Sequence, residues 1–457
     1  MSRRAPWILA ALLIGGCGKA PDPPTGPPLD ALALVFPAPT QEVFDLITVD
    51  KLKKHVEALS ADDMEGRAGC SKGELKAAEY VWGEMVRIGL MPSGAYDISG
   101  QMGYWQTFGA GENRYSRSCL GLFPGADPTV RDQLIIICAH HDGIGKQGAT
   151  RGAAVGGAQG SDTIWNGADD NASGVAAVLA MAEAFAVGRV RTRRSVLFLT
   201  LGNQEEGNDK SGVAFYTAHS ITPREKHVLI VNLDMIGRNP DRPLEVEGVR
   251  SAVGDDLANA VKKAMDANKV SFKPHDYAGE MLFRGDGSSF LKNKIPTLHV
   301  WSYWHPDYHR VSDTADKLSY DRMAAVTKAL TALVCDVANS ATALSWNPAM
   351  PPVDAASDDR PRLGVALEDI TGDALKALNL PSGQGAVRVA AIIPSSVGAV
   401  AGLKQGDVIV SFDGKPFAAL EALRVLIGAV EMEREYALDV RRGGKVERVA
   451  AVWHKSR

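Results

Sequence analysis

The chain has 457 residues, 45% hydrophobic and 23% charged, with a formal net charge of −4. That length exceeds one ordinary core and predicts two or three domains. The composition is that of a soluble globular protein, and the absence of a basic stripe argues against a nucleic-acid partner.

The first sixteen residues read as a targeting segment. Arg3 and Arg4 form a short positive region, and Trp7 to Ile14 is an apolar run too short to span a bilayer. The run ends in Ile14-Gly15-Gly16-Cys17, which resembles a bacterial lipoprotein signal. The resemblance implies export, with Cys17 lipidated as the mature first residue and holding the protein to a cell-envelope membrane. An ordinary secretory signal is the alternative. Residues 17–40 are Pro-rich and aperiodic, as in an extended tether.

Residues 41–345 alternate strand-like and helix-like patterns, which predicts an α/β sheet layered by helices. A helix-like stretch runs from Glu74 to Gly89, and the apolar helix Ala172 to Ala186 has Asp170, Asn171 and Ser173 as capping candidates. The stretch Asp321 to Asn339 places Met323, Val326, Leu330, Leu333 and Val337 on one helical face, a core stripe. Apolar runs at Leu134 to Ala139, Ser195 to Leu201, Val228 to Leu233 and Pro296 to Trp301 read as buried strands. Each leads to a polar segment: His140-His141-Asp142, Glu205-Glu206, Asn232-Leu233-Asp234-Met235 and Tyr308-His309. A fifth segment is Gly167-Ala168-Asp169-Asp170-Asn171. Ligands collect beyond the carboxyl ends of strands in open α/β sheets, and imidazole with carboxylate suits a zinc-type metal. Convergence of the five segments therefore predicts a metal site. Cys138 and Cys335 read as core residues, while Cys70 and Cys119 lie in polar stretches where a disulfide is conceivable.

These segments, in this order and spacing, resemble those of the M28 peptidases, with supporting similarity at Met64-Glu65-Gly66-Arg67 and Tyr308 to Asp316. The resemblance covers about residues 50–340. It implies a phosphorylase/hydrolase-like zinc exopeptidase fold and two zinc ions per chain. His140 and Asp234 would hold one ion, Glu206 and His309 the other, with Asp169 shared. Asp142 would orient His140, Glu205 would be the general base, and Tyr308 is a candidate oxyanion donor. Asp170 falls where the family has an unusual cis peptide. His141 and His305 are expected to be neighbours, and Asp313 to cap or orient the loop after His309. Gly285-Asp286-Gly287 departs from the family's Ser-Asp-His, which bears on the substrate pocket.

Residues 346–360 have a linker composition rich in Pro and Asp. Residues 361–455 then resemble a PDZ domain of the bacterial envelope-protease type, a small β-rich unit. The similarity rests on Arg362-Leu363-Gly364-Val365, Pro394-Ser395-Ser396, Ala401 to Ile409 and Phe412-Asp413-Gly414. It implies a carboxylate-binding loop at Leu363, Gly364 and Val365 that takes the carboxyl end of a peptide by strand addition. The whole resembles an exported zinc aminopeptidase acting on peptides. Glutaminyl cyclase-like or carboxypeptidase chemistry on the same ligands, or a non-catalytic PDZ adaptor, are the alternatives.

Overall fold

The computed structural model describes residues 35–96, 100–111, 113–149, 154, 158–207, 210–276, 282, 285–350, 363–392, 396–428 and 430–454. The targeting segment with Cys17, most of the tether and residues 351–360 of the expected linker lie outside these.

A nine-stranded mixed sheet organises the first part of the chain. Its strands are β1 (Met91–Pro92), β2 (Trp105–Gly109), β3 (Tyr115–Phe123), β4 (Leu134–His140), β5 (Ser195–Leu201), β6 (His227–Leu233), β7 (Leu244–Glu247), β8 (Phe272–His275) and β9 (Thr297–Trp301). They lie in the order β1-β3-β5-β4-β6-β9-β7-β8, with β2 paired to β3. The middle four, β5-β4-β6-β9, are mutually parallel. All residues of β4, β5, β6 and β9 are buried, as expected for parallel strands covered on both faces. Alternation sorts them: Ile135, Ile137 and Ala139 join one apolar cluster, Leu134, Ile136 and Cys138 the other.

The larger cluster lies under the helices α1 (Val49–Leu59), α2 (Lys72–Ile88), α3 (Gly174–Val187) and α4 (Tyr320–Asn339). Ser71 caps α2 by accepting from the Glu74 amide, and Gly89 ends it in the left-handed region at φ 84°. Residues Ala168–Val187 are long and apolar enough to cross a membrane, but 89% of the span is buried within the fold. It is a core helix. Cys119 and Cys138 are buried free thiols and Cys70 a partly buried one, so no bridge joins Cys70 to Cys119.

Between α1 and α2, His55 is buried and its Nδ1 lies 2.8 Å from the Tyr80 hydroxyl. Burial holds the imidazole down to about 4. A folded-state value below the unfolded one means the unfolded chain takes up the proton first, so stability is lost as pH falls from about 6.5 towards 4. The loss from this group should be on the order of 3 kcal/mol. Urea unfolding of chelator-treated protein at pH 7 and pH 4.5 checks it; His55→Gln should lessen the acid sensitivity, and an unchanged pH dependence would contradict the assignment.

The second sheet is an antiparallel meander of β10 (Val365–Asp369), β11 (Val387–Ile392), β12 (Val408–Phe412), β13 (Glu435–Arg442) and β14 (Lys445–Val452), with helix α5 (Leu420–Gly428). Leu363, Val389, Leu403, Ile409, Phe412 and Leu438 are among its core residues. Gly402 and Gly406, at φ 86° and 89°, turn the chain on either side of buried Leu403.

Candidate metal centre

The four parallel strands deliver polar residues to one place at their carboxyl ends. The ladder pairs His140 with Leu201 and Val300 with Leu233, so β4, β5, β6 and β9 finish nearly level. His140 closes β4, Gln204 and Glu205 follow β5, Asp234 follows β6, and the loop after β9 carries His305, Tyr308 and His309.

Asp170 stands between the two histidines. Its Oδ1 is 3.3 Å from His140 Nε2 and its Oδ2 is 3.0 Å from His309 Nε2. Asp234 Oδ1 lies 3.5 Å from the same His140 nitrogen, and Glu205 Oε1 lies 3.4 Å from the same His309 nitrogen. Among the described residues, His140, Asp170 and Glu205 form a group able to hold a metal ion, their ligand atoms within 4.8 Å of one another. Burial opposes charge on His140, yet Asp142, Asp170 and Asp234 outweigh it and hold the imidazole well above its usual range. The same field favours a divalent cation in place of the protons. Burial raises the Glu205 carboxyl. Asp170 is also opposed by burial, but His140 and His309 hold it well below the usual carboxylate range.

The two adjacent-acid pairs place the other member than expected at this centre. The carboxylate facing both histidines is that of Asp170, whereas Asp169 turns away. Asp169 Oδ1 accepts from the Gly237 amide at 2.7 Å, and its Oδ2 is 3.3 Å from His305 Nε2. Glu205, expected as the base, occupies a position suited to a ligand. Glu206, expected as the ligand, is ion-paired with Arg114. The physical reason is the backbone after each strand end. The Asp142 carboxylate accepts from the Gln204 and Glu205 amides at 2.9 and 3.0 Å. The Asp313 carboxylate accepts from the Asp169 and Asp170 amides at 3.0 and 3.1 Å. These ties fix which side chain of each pair turns inward. Asp142 meets His140 Nδ1 through its backbone oxygen at 3.3 Å, with a carboxylate oxygen at 3.6 Å. Asp313 thus shapes the loop of Asp169 and Asp170, and the non-proline cis bond joins Asp170 to Asn171.

Tyr308 stacks on His309, ring centroids 3.8 Å apart. His141 Nδ1 lies 3.1 Å from the Thr200 hydroxyl. Leu363, Gly364 and Val365 lie at the start of β10, in the other sheet, where the Leu363 carbonyl accepts from the Gly398 amide at 2.6 Å.

Three further residues complete the surroundings. Arg67 is wholly buried and donates to the carbonyls of Leu59, His141, Asn166 and Gly167, bracing segments on both sides of the site. Burial lowers its guanidinium to about 10. Asn171 donates to the Leu233 carbonyl at 2.9 Å and accepts from the Met235 amide at 3.2 Å, which holds the turn bearing Asp234. Asp286 is 3% exposed, and its Oδ1 has no hydrogen-bond partner among the described residues. Burial pushes its carboxyl up to about 7, with Asp234, Asp142 and Glu205 adding and His140 opposing. The sequence signal for Arg67 was its place in Met64-Glu65-Gly66-Arg67, and for Asp286 its survival between two glycines.

Residues 120–334 match Peptidase family M28, and residues 361–451 match the PDZ domain family. The aminopeptidase from Aneurinibacillus sp. strain AM-1 superposes with a TM-score of 0.50 at 16% identity, covering 67% of this chain and 98% of that one, a likeness of fold. The periplasmic serine endoprotease DegP of Escherichia coli K12 is 35% identical over 86 residues, 19% of this chain and 18% of that protein. The periplasmic pH-dependent serine endoprotease DegQ of the same strain is 36% identical over 93 residues, 20% of each chain. The chain thus spans about a fifth of the length of these curated relatives. The buried histidine–carboxylate cluster at the ends of four parallel strands lies within the stretch that matches Peptidase family M28, so the chain carries an M28-like peptidase domain followed by a PDZ domain.

Proposed function

We propose that the protein is a zinc-dependent aminopeptidase that removes amino-terminal residues from peptides. The observation that carries this reading is the Asp170 carboxylate, each of whose oxygens faces a different histidine. His140 and Asp234 would hold one ion, His309 and Glu205 the other, with Asp170 shared. Two Zn²⁺ against three carboxylates leave one net positive charge, which suits an open catalytic site. Ions held there supply Lewis-acid polarisation of a peptide carbonyl and lower the pKa of a water.

The protein's own groups would do the rest. Asp142 holds the backbone of Gln204 and Glu205, so the Glu205 carboxylate meets its ion without rearrangement. With Glu205 assigned as a ligand and Gln204 before it, proton transfer falls to Asp286. Its buried carboxyl, whose Oδ1 has no hydrogen-bond partner among the described residues, would accept a proton from water and return it to the leaving amine. The choice of the amino end of a substrate follows the solved aminopeptidase whose fold the chain shares.

The experiment is a panel of aminoacyl and dipeptide substrates with zinc-loaded protein. Free-amino substrates should be cleaved and their acetylated counterparts spared. Cleavage from the carboxyl end, or cyclisation of amino-terminal Gln without hydrolysis, would replace the reading.

We further propose export and lipid anchoring at Cys17, supported by Arg3, Arg4 and the apolar run before Gly15-Gly16-Cys17. Wild type should enter the detergent phase on phase separation and Cys17→Ser should not. A wild-type protein wholly in the aqueous phase would contradict the anchor. The PDZ domain is proposed to take peptide carboxyl ends at Leu363, Gly364 and Val365.

A further inference from the structure

The loop that carries His309 is held from an unexpected side. Tyr303 sits at φ 74°, in the left-handed region, and His309 at φ 53°. A bulky aromatic residue adopts that conformation only where its surroundings over-determine it. Asn239 donates from one nitrogen to the carbonyls of Ser302, Tyr303 and Trp304 at 2.8, 3.2 and 3.0 Å. The other restraints involve the PDZ domain. The Tyr303 hydroxyl donates to the Leu367 carbonyl of β10 at 2.8 Å. Arg242 lies 3.5 Å from the Tyr303 ring centroid and pairs with Glu368, also on β10, at 3.2 Å. Glu368 in turn holds Arg388 at 2.7 Å, and Ala390 of β11 packs against the cluster of Met235, Trp301, Tyr303 and Trp304.

From Tyr303 the rings continue without a gap to the metal centre. Tyr303 meets Trp301 at 5.0 Å, Trp301 meets Trp304 at 5.4 Å, Trp304 meets Tyr308 at 4.5 Å, and Tyr308 stacks on His309 at 3.8 Å. Packed rings transmit displacement because interiors are dense and leave little room for independent motion.

We propose that Tyr303 is a positioning residue through which the PDZ domain, by Leu367 and Glu368 of β10, sets the orientation of His309. The PDZ domain is then a buttress of the metal centre as well as a peptide-binding unit. The proposal rests on the reading of His309 as a zinc ligand, and its test therefore includes a measurement that needs no peptidase activity.

Full-length Tyr303→Phe removes only the hydroxyl. Glu368→Lys acts from the PDZ side, placing a cation on β10 against Arg242 and Arg388. Loss of support for a metal ligand costs about 10–100-fold in affinity or activity. Both variants should release zinc to a chromogenic chelator about 10-fold faster than wild type. On an aminoacyl substrate too small to reach both domains, kcat should fall about 10-fold with KM within about twofold. Faster zinc release without any aminoacyl hydrolysis in wild type would uphold the buttress while rejecting the aminopeptidase reading. Wild-type zinc release in both variants would overturn the proposal. An effect confined to Tyr303→Phe would leave the tie to Leu367 as the support and overturn the part assigned to Glu368.

Discussion

Asp170→Ala should abolish hydrolysis, lowering kcat/KM by about 10³-fold or more, because it removes the carboxylate facing both histidines and with it several kcal/mol of metal-based stabilisation. Asp169→Ala should do less. Its side chain contacts the Gly237 amide and His305, outside the group of His140, Asp170 and Glu205. That variant should lose stability from an unpaired buried His305 while keeping measurable turnover. Steady-state kinetics on a free-amino aminoacyl substrate, with thermal unfolding of both variants, separates the two. If Asp169→Ala is dead and Asp170→Ala active, the shared carboxylate has been assigned to the wrong member of the pair.

The second large effect concerns proton transfer. Asp286→Asn keeps the shape of a buried side chain and removes its titratable proton, so kcat should fall by roughly 10²–10⁴-fold with metal content unchanged. Glu205→Gln should behave differently. As a ligand it should lose zinc and activity together; as a base it would stay fully loaded and inactive. Metal analysis beside the rate assays distinguishes these outcomes. A fully loaded Glu205→Gln protein without turnover, with Asp286→Asn near wild type, would return the base to Glu205.

Periodicity carried most of the fold. The apolar run Ser195 to Leu201 is β5 in full, and Val228 to Leu233 and Pro296 to Trp301 miss β6 and β9 by one residue each. These strands are buried on both faces, so their continuous apolar runs are unambiguous. Four of the five segments bearing the site were legible for the same reason, since each closes or follows a buried strand. The choice within Asp169-Asp170 and Glu205-Glu206 was not. It depends on torsions beyond the last ladder pair, such as Asn203 at φ 56° and Gly167 at φ 58°, and on carboxylates far along the chain. Asp142 fixes Glu205 from 63 residues away, and Asp313 fixes Asp170 from 143. No local pattern encodes such ties. The tie from Tyr303 to Leu367, 64 residues apart, likewise crosses the stretch whose Pro- and Asp-rich composition reads as a linker.

Zinc stoichiometry tests the central claim most directly. Native mass spectrometry of the zinc-reconstituted protein should show two ions per chain in wild type and in Asp286→Asn, one in His309→Ala, and none in Asp170→Ala. Two ions retained in Asp170→Ala, or a wild type that saturates at one, would contradict a shared carboxylate between His140 and His309.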